Sequence, residues 1–328
     1  MSAVSAIPYL IYAACAGVAE WANPISQPGS PGYTPTPEHH LRFVLENDAI
    51  SGRDCNYSNG GRLDYAQAIA GSQDAWGISL TQNMYTPVTH TRHAVPGEHP
   101  YCGYLGVGAA YLLRGNNFGC ATEFQVGTTG KASFAGKTQN ALHGACAMEQ
   151  WDGWNDQVPS EITFQLTSRQ EWNLPILARK YSNGLQSDGA AYLREAVGTV
   201  QLAAGGGLYY RIGYNLAPYS QVTGNSSAVY GIGVLDKPDY SRSDTSYFLV
   251  FEAANNYVAR DITIDGGVFH DFKHRTCGRT PWQPEGRVGA CVVYHGIDYY
   301  LGLYIKGRTY RTQKASQAIG TFSIGWHW

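Results

Sequence analysis

"GTFSIGWHW", residues 320–328, places Phe322, Ile324, Trp326 and Trp328 on one face of an extended strand and Thr321, Ser323, Gly325 and His327 on the other. Strand side chains alternate between faces, so one side of this segment is apolar and aromatic and the other small and polar. On a soluble protein such a terminal strand is an aggregation hazard, whereas in a barrel wall the apolar face meets lipid near an aromatic girdle. The alternation recurs upstream. In "WGISLTQNM" (76–84), Trp76, Ile78, Leu80 and Met84 oppose Gly77, Ser79, Thr81 and Asn83. In "ITFQLTSR" (162–169), Ile162, Phe164 and Leu166 oppose Thr163, Gln165, Thr167 and Arg169, and in "LGLYIKGR" (301–308) Leu301, Leu303 and Ile305 oppose Gly302 and Lys306. A soluble sandwich has the same two-residue period, and the C-terminal stretch decides for the barrel. About 12 strand-like runs follow residue 41, the even number that such barrels prefer. The expected fold is all-β: a transmembrane antiparallel β-barrel of about 12 strands, one domain over residues 39–328.

Composition agrees. The chain has 328 residues and a formal charge of -2, which argues against nucleic acid as a partner. Charged residues make up 15%, against roughly 25% in an average soluble domain, while 39 Gly and 24 Tyr suit a β-protein with many turns and exposed aromatics. No apolar run approaches the ~18 residues of a membrane-spanning helix, so membrane insertion requires a barrel.

Residues 1–22 are mostly apolar with small residues at 16–19, and read as a secretory signal even though no Lys or Arg precedes Arg42. Residues 23–38 carry five prolines with Gly and Ser and read as a flexible lead-in. Removal of the signal takes Cys15 and leaves Cys55, Cys102, Cys120, Cys146, Cys277 and Cys291. Cys277 and Cys291 flank a polar, Pro-containing segment and are the first candidates for a disulfide; buried thiols are the alternative.

One segment breaks the β pattern. "GKTQNALHGACAMEQW" (136–151) spaces Gln139 and His143 four apart on one helical face, so a short helix is inserted near 136–150. A helix between barrel strands is a candidate functional element. A second concentration of polar groups, "LENDAISGRDCNYSNGGRLDY" (45–65), carries Asn47, Asp48, Arg53 and Asp54 between two strands.

These stretches carry a family resemblance. "END" (46–48), "DCNYSNG" (54–60), "QNMYTP" (82–87), "EHPYCGYL" (98–105) and "TQNALHG" with "MEQWDGWNDQ" (138–157) resemble, in order, the motifs of the outer-membrane lipid A 3'-O-deacylase family. The match is good over residues 41 to 172 and beyond that rests on strand character and the aromatic end. The resemblance implies a 12-stranded barrel that removes an acyloxyacyl chain from lipid A of lipopolysaccharide, working as a monomer in the bacterial outer membrane with its site near the outer leaflet. It also implies calcium dependence and a histidine base. By motif position, His143 is the catalytic histidine with Gln139 beside it. Ser58 is the hydroxyl residue, Glu149 a further acidic position, and Asn47 and Asp48 the pair that would hold calcium.

The chemistry fits those residue types. Ester hydrolysis by water needs a base with a pKa near neutrality, which His143 offers. It also needs oxyanion stabilisation, which a hard cation on Asp48 and Asn47 and a hydroxyl donor at Ser58 would supply. Glu98 stands where the family motif has Asp, the loop between Asp48 and Ser58 is short, and Arg92 and His93 are candidates for a lipid A phosphate. Two other readings compete: a serine-type outer-membrane phospholipase with Ser58 as nucleophile, and a non-catalytic pore or scaffold.

Overall fold

The computed structural model describes residues 39–70, 72, 74–115, 118–216, 243–270 and 277–328. The expected signal segment, Cys15 and the Pro-rich lead-in lie outside the described residues. The strands are β1 (His39–Asn47), β2 (Asn56–Ala68), β3 (Ala75–Thr86), β4 (Cys102–Arg114), β5 (Phe118–Thr129), β6 (Ile162–Asn173), the two-residue β7 (Arg179–Lys180), β8 (Leu185–Gly198), β9 (Gln201–Tyr214), β10 (Thr245–Asp261), β11 (Trp282–Tyr294), β12 (Ile297–Lys306) and β13 (Gln317–His327). Wall strands pair antiparallel with their sequence neighbours, β6 passes directly to β8, and β1 pairs with β13. β7 is only a hairpin extension on β8. The result is a closed 12-stranded antiparallel barrel, as expected. No helix among the described residues is long and apolar enough to cross a membrane.

The alternation in the sequence maps onto the wall. Trp76, Ile78 and Leu80 of β3, Ile162 and Phe164 of β6, Leu301 and Ile305 of β12, and Phe322 and Trp326 of β13 are exposed on the outside. Their neighbours Ser79, Thr81, Thr163, Gln165, Thr321 and Ser323 are buried inside. The interior is therefore polar, and its largest fully buried side chains include Arg42, Arg62 and Arg211.

Charges in that interior are held in pairs, because an unpaired buried ion is prohibitively costly. Asp64 accepts from Arg42 Nη2 at 2.9 Å and from Arg62 Nε at 2.6 Å, and Arg62 Nη2 reaches Glu123 Oε1 at 2.7 Å. A second knot joins Arg169 Nε to Glu171 at 2.5 Å and Arg169 Nη1 to Glu252 at 3.2 Å. Arg287 Nη1 also lies 3.5 Å from Glu252.

The six cysteines among the described residues are thiols, five buried and Cys146 exposed. The expected Cys277–Cys291 disulfide does not form. Cys291 sits in mid-strand, packed with Phe248, Val250, Val293 and Tyr300, while Cys277 packs with Ile264 and Tyr310 in a different cluster. The segment between them is mostly strand β11, which carries the two residues apart.

Two predictions follow from the inverted pattern. Arg62→Ala strands Asp64 and Glu123 without that cation and is expected to destabilise the barrel by about 3–5 kcal/mol in denaturant unfolding. Leu80→Arg, halfway along the lipid-facing side of β3, is expected to cost about 2–4 kcal/mol in the same assay in lipid vesicles.

Candidate active site at the barrel rim

Antiparallel alternation gathers the connections 48–55, 87–101 and 130–161 at one end of the barrel. The first begins with a cap. Asn47 Oδ1 accepts the Ala49 N–H at 2.6 Å, starting a single turn at Asp48–Ser51 that Gly52 ends in the left-handed region, at φ +66°. Asp48 is fully buried by this turn. Its Oδ2 accepts the Cys55 N–H at 2.9 Å and Gln317 Nε2 at 3.1 Å, while Oδ1 is buried with no partner. Burial, helped by the nearby Asp54 charge, pushes the Asp48 carboxyl up to about 8, against the opposing pull of the Cys55 N–H.

Where β2 enters the wall, its pairing with β3 slips between Tyr57 and Asn59, so Ser58 is the extra residue of a bulge. The hydroxyls of Ser58 and Thr86 lie 2.5 Å apart, and Thr86 Oγ1 donates to the Asp54 carbonyl at 3.1 Å.

The connection 130–161 carries helix α1 (Ala135–Ala145), which matches the expected helix but ends before residue 150. It packs on the outer face of the rim at β3 and β4. Gln82 Nε2 donates to the Ser133 carbonyl at 2.7 Å, and Met84, Tyr101, Ala135, Trp151 and Trp154 form the apolar seam. Met84 thus shares the face of Trp76 and Leu80 yet is buried, because α1 covers the wall there. Gly136 makes the approach possible, since a Cβ there would fall 2.7 Å from the Trp154 ring.

Gln139 and His143 form the buried face of α1. His143 Nδ1 donates to the Glu149 carbonyl at 2.6 Å, and its ring meets Trp151 edge-on at 4.8 Å. With Nδ1–H committed to a carbonyl, Nε2 is the atom left to face Asp54 Oδ2, 3.1 Å away. A contact that short between a ring nitrogen and a carboxylate oxygen requires one proton between them. Gln139 Nε2 donates to the same carboxylate at 3.3 and 3.4 Å. His90 stacks on Trp151 at 3.8 Å and bonds the Asp54 carbonyl through Nε2. Burial raises the Asp54 carboxyl above its usual range, while His143, His90 and a bond from the Ser58 hydroxyl oppose that rise.

Of the residues singled out in the sequence, His143, Gln139 and Ser58 meet, and Asp54 is what they meet around. Asp48 lies beside this group, joined through the Cys55 backbone, and its unpartnered Oδ1 could serve as an oxygen ligand for a hard cation. Asn47 shapes the turn, and Glu149 contributes its carbonyl while its side chain is exposed. Glu98 Oε2 accepts the Thr89 N–H and hydroxyl, both at 3.0 Å, and so ties its own loop together. Arg92 is exposed, and His93, with its side chain 81% exposed, lies 3.8 Å from Asp156. The roles of Asp54, Thr86, His90 and Trp151 were missed; the "DCNYSNG" motif begins on Asp54 and was the available signal.

A model of the family described as outer membrane protein LpxR matches residues 9–328. No curated protein matches the sequence. Among solved structures, LpxR from Salmonella typhimurium superposes with a TM-score of 0.75 at 16% identity, covering 88% of this chain and 100% of that one. The β domain of the Bordetella autotransporter BrkA gives 0.43 at 10% identity, with 89% and 98% covered. The NalP translocator domain from Neisseria meningitidis gives 0.39 at 10%, with 99% and 97% covered. At these identities the Salmonella structure shares the fold, and the other two carry no further weight.

The state of Asp48 makes cation binding measurable without turnover. At pH 7 a carboxyl with a pKa of about 8 is mostly protonated, so a cation that needs the carboxylate must displace the proton. Calcium titrated into the folded protein is expected to release close to one proton per ion at pH 7 and progressively less as pH rises past 8, by calorimetry in buffers of different ionisation heat. Asp48→Asn is expected to abolish the release; its persistence there would remove Asp48 from the site.

Proposed function

The chain belongs to the outer membrane protein LpxR family, and on that premise we propose that it is a hydrolase of the outer leaflet that removes the 3'-O-linked acyloxyacyl chain of lipid A. The observation that supports this reading most is the His143–Asp54 pair on the outside of the barrel rim, where α1 and its flanks also expose Phe134, Leu142 and Met148. A catalytic pair there faces lipid headgroups, and exposed apolar side chains beside it suit an acyl chain.

In this reading His143 is the general base. Its Nδ1–H bond to the Glu149 carbonyl fixes the tautomer and leaves Nε2 basic. In the resting contact the shared proton stays on the Asp54 carboxyl, whose hold on it burial raises; when substrate and water displace that contact, Nε2 takes a proton from the water as its oxygen attacks the ester carbonyl. The tetrahedral centre collapses with cleavage of the bond to the sugar oxygen, and His143 returns the proton to that oxygen. The fatty acid and a sugar hydroxyl leave, with atoms and charge balanced. Asp54 stabilises the imidazolium while it exists, and Gln139 holds the carboxylate in place. Thr86 spends its proton on the Asp54 carbonyl, so the Ser58 proton is the one able to turn toward the oxyanion. Calcium, held by Asp48, would add positive charge near the same oxyanion.

The serine-nucleophile alternative needs Ser58 paired with His143. Ser58 is bonded to Thr86 and Asp54 rather than to His143, which favours attack by water.

Mass spectrometry of lipid A after incubation with the refolded protein tests the reading. Wild type with calcium is expected to release one acyloxyacyl unit, and His143→Ala is expected to lose about 100-fold to 10,000-fold in rate. Ser58→Ala is expected to slow release without stopping it; a loss as deep as that of His143→Ala would establish the acyl-enzyme route. Unchanged lipid A with folded wild type and calcium would leave the non-catalytic barrel.

A further inference from the structure

At the end of the barrel opposite the rim site, His40, Asp298 and His327 converge inside the wall. We propose that these three residues form a second metal site, for a first-row divalent transition metal of the zinc class, that clasps the seam between the first and last strands. The proposal does not depend on the catalytic reading.

The sheet register creates the convergence. His40 and His327 are directly opposed partners across the β1–β13 ladder, and Asp298 on β12 is opposed to Gly325 on β13. Both imidazoles are buried and stack at 4.3 Å with a 14° tilt. Each turns Nε2 to the same carboxylate oxygen: His40 lies 3.1 Å and His327 2.8 Å from Asp298 Oδ2. Among the described residues this is the group of three His, Cys, Asp or Glu ligands whose donor atoms all lie within 4.8 Å of one another.

Spacing and donor chemistry point the same way. Zinc at 2.0–2.2 Å from each ligand in a tetrahedron sets ligand–ligand edges of roughly 3.3–3.6 Å. The edges of 2.8 and 3.1 Å reach that value when the side chains open and one imidazole turns out of the stack, because a metal lies in the plane of each ring it bonds. Two imidazoles and a carboxylate are a borderline-soft donor set that suits zinc-class ions and would leave a coordination position for water. Asp298 Oδ1 and His327 Nδ1 are buried without hydrogen-bond partners, so the cluster as folded leaves polar atoms unsatisfied. Gly325 supplies the room: a Cβ there would stand 2.6 Å from His40 Nε2 and 2.7 Å from Asp298 Cγ. A metal on these ligands would tie β1, β12 and β13 together where the barrel closes.

Cobalt(II) is the probe, since it occupies zinc sites and its visible d–d bands report low-coordinate binding. The full chain, refolded in detergent and stripped with chelator, is titrated with Co²⁺ and then with competing Zn²⁺. Wild type is expected to take up Co²⁺ with a visible band that Zn²⁺ bleaches, and His143→Ala is expected to keep that band. His40→Gln, His327→Gln and Gly325→Ala, each checked for β-structure by circular dichroism, are expected to weaken uptake at least tenfold. Gly325→Ala keeps every ligand and so reads geometry alone. Zn²⁺ is also expected to raise the unfolding temperature of wild type but not of His327→Gln. Folded wild type without the band, or His40→Gln and His327→Gln that bind as tightly as wild type, would overturn the site and leave a hydrogen-bonded His–Asp–His cluster only.

Discussion

Closure of the backbone ladder between β1 and β13 is the constraint on which the rest of this structure depends. Hydrocarbon offers no partner for an exposed N–H or carbonyl, so a sheet survives there only if its first and last strands pair. The seam runs from His40 opposite His327 to Asn47 opposite Gly320, and beyond it His39 and Trp328 exchange backbone bonds at 3.0 and 3.2 Å. Once the wall is closed, its outside must be apolar and its inside must take the polar half of every strand. The paired arginines and carboxylates of the interior follow from that inversion.

The rim site is an exception built on this wall. A regular ladder offers alternate side chains to lipid and lumen and leaves little scope for convergent polar groups outside. The bulge at Ser58, the cap at Asn47 and the packing of α1 over β3 and β4 break that regularity together. Each uses a local device, whether an extra residue, a side-chain cap or a glycine against a tryptophan. Jointly they bring a histidine, a carboxylate, an amide and two hydroxyls together at the barrel rim. The buried, partly unpaired Asp48 beside them marks a place where the fold tolerates electrostatic cost, as functional sites do.

Much of the fold was legible because a barrel wall obeys a two-residue rule that each strand displays by itself. Trp76, Ile78 and Leu80, or Phe322 and Trp326, announce their face without reference to any other strand. Met84 follows the same rule in direction but not in burial, since nothing in its own strand reveals that α1 lies over it. The cysteines show the limit from another side. Cys277 and Cys291 look like the ends of a loop, but the residues between them are mostly a wall strand that holds them apart.

For the candidate site, the sequence by itself determined the segments: a helix bearing Gln139 and His143, and a polar turn between two strands. Motif order was enough for that, because helix spacing and turn chemistry are local. Only the tertiary structure decided that Asp54 is the residue His143 touches, 89 positions away in the chain, and that Asn47 spends its side chain on a cap. The His40–Asp298–His327 cluster belongs to the same class, since it exists only where the closing ladder sets residue 40 opposite residue 327. Alternation within a strand is a property of the backbone and travels with the sequence. Convergence between strands depends on register and closure, which arise only when the whole wall has found its partners.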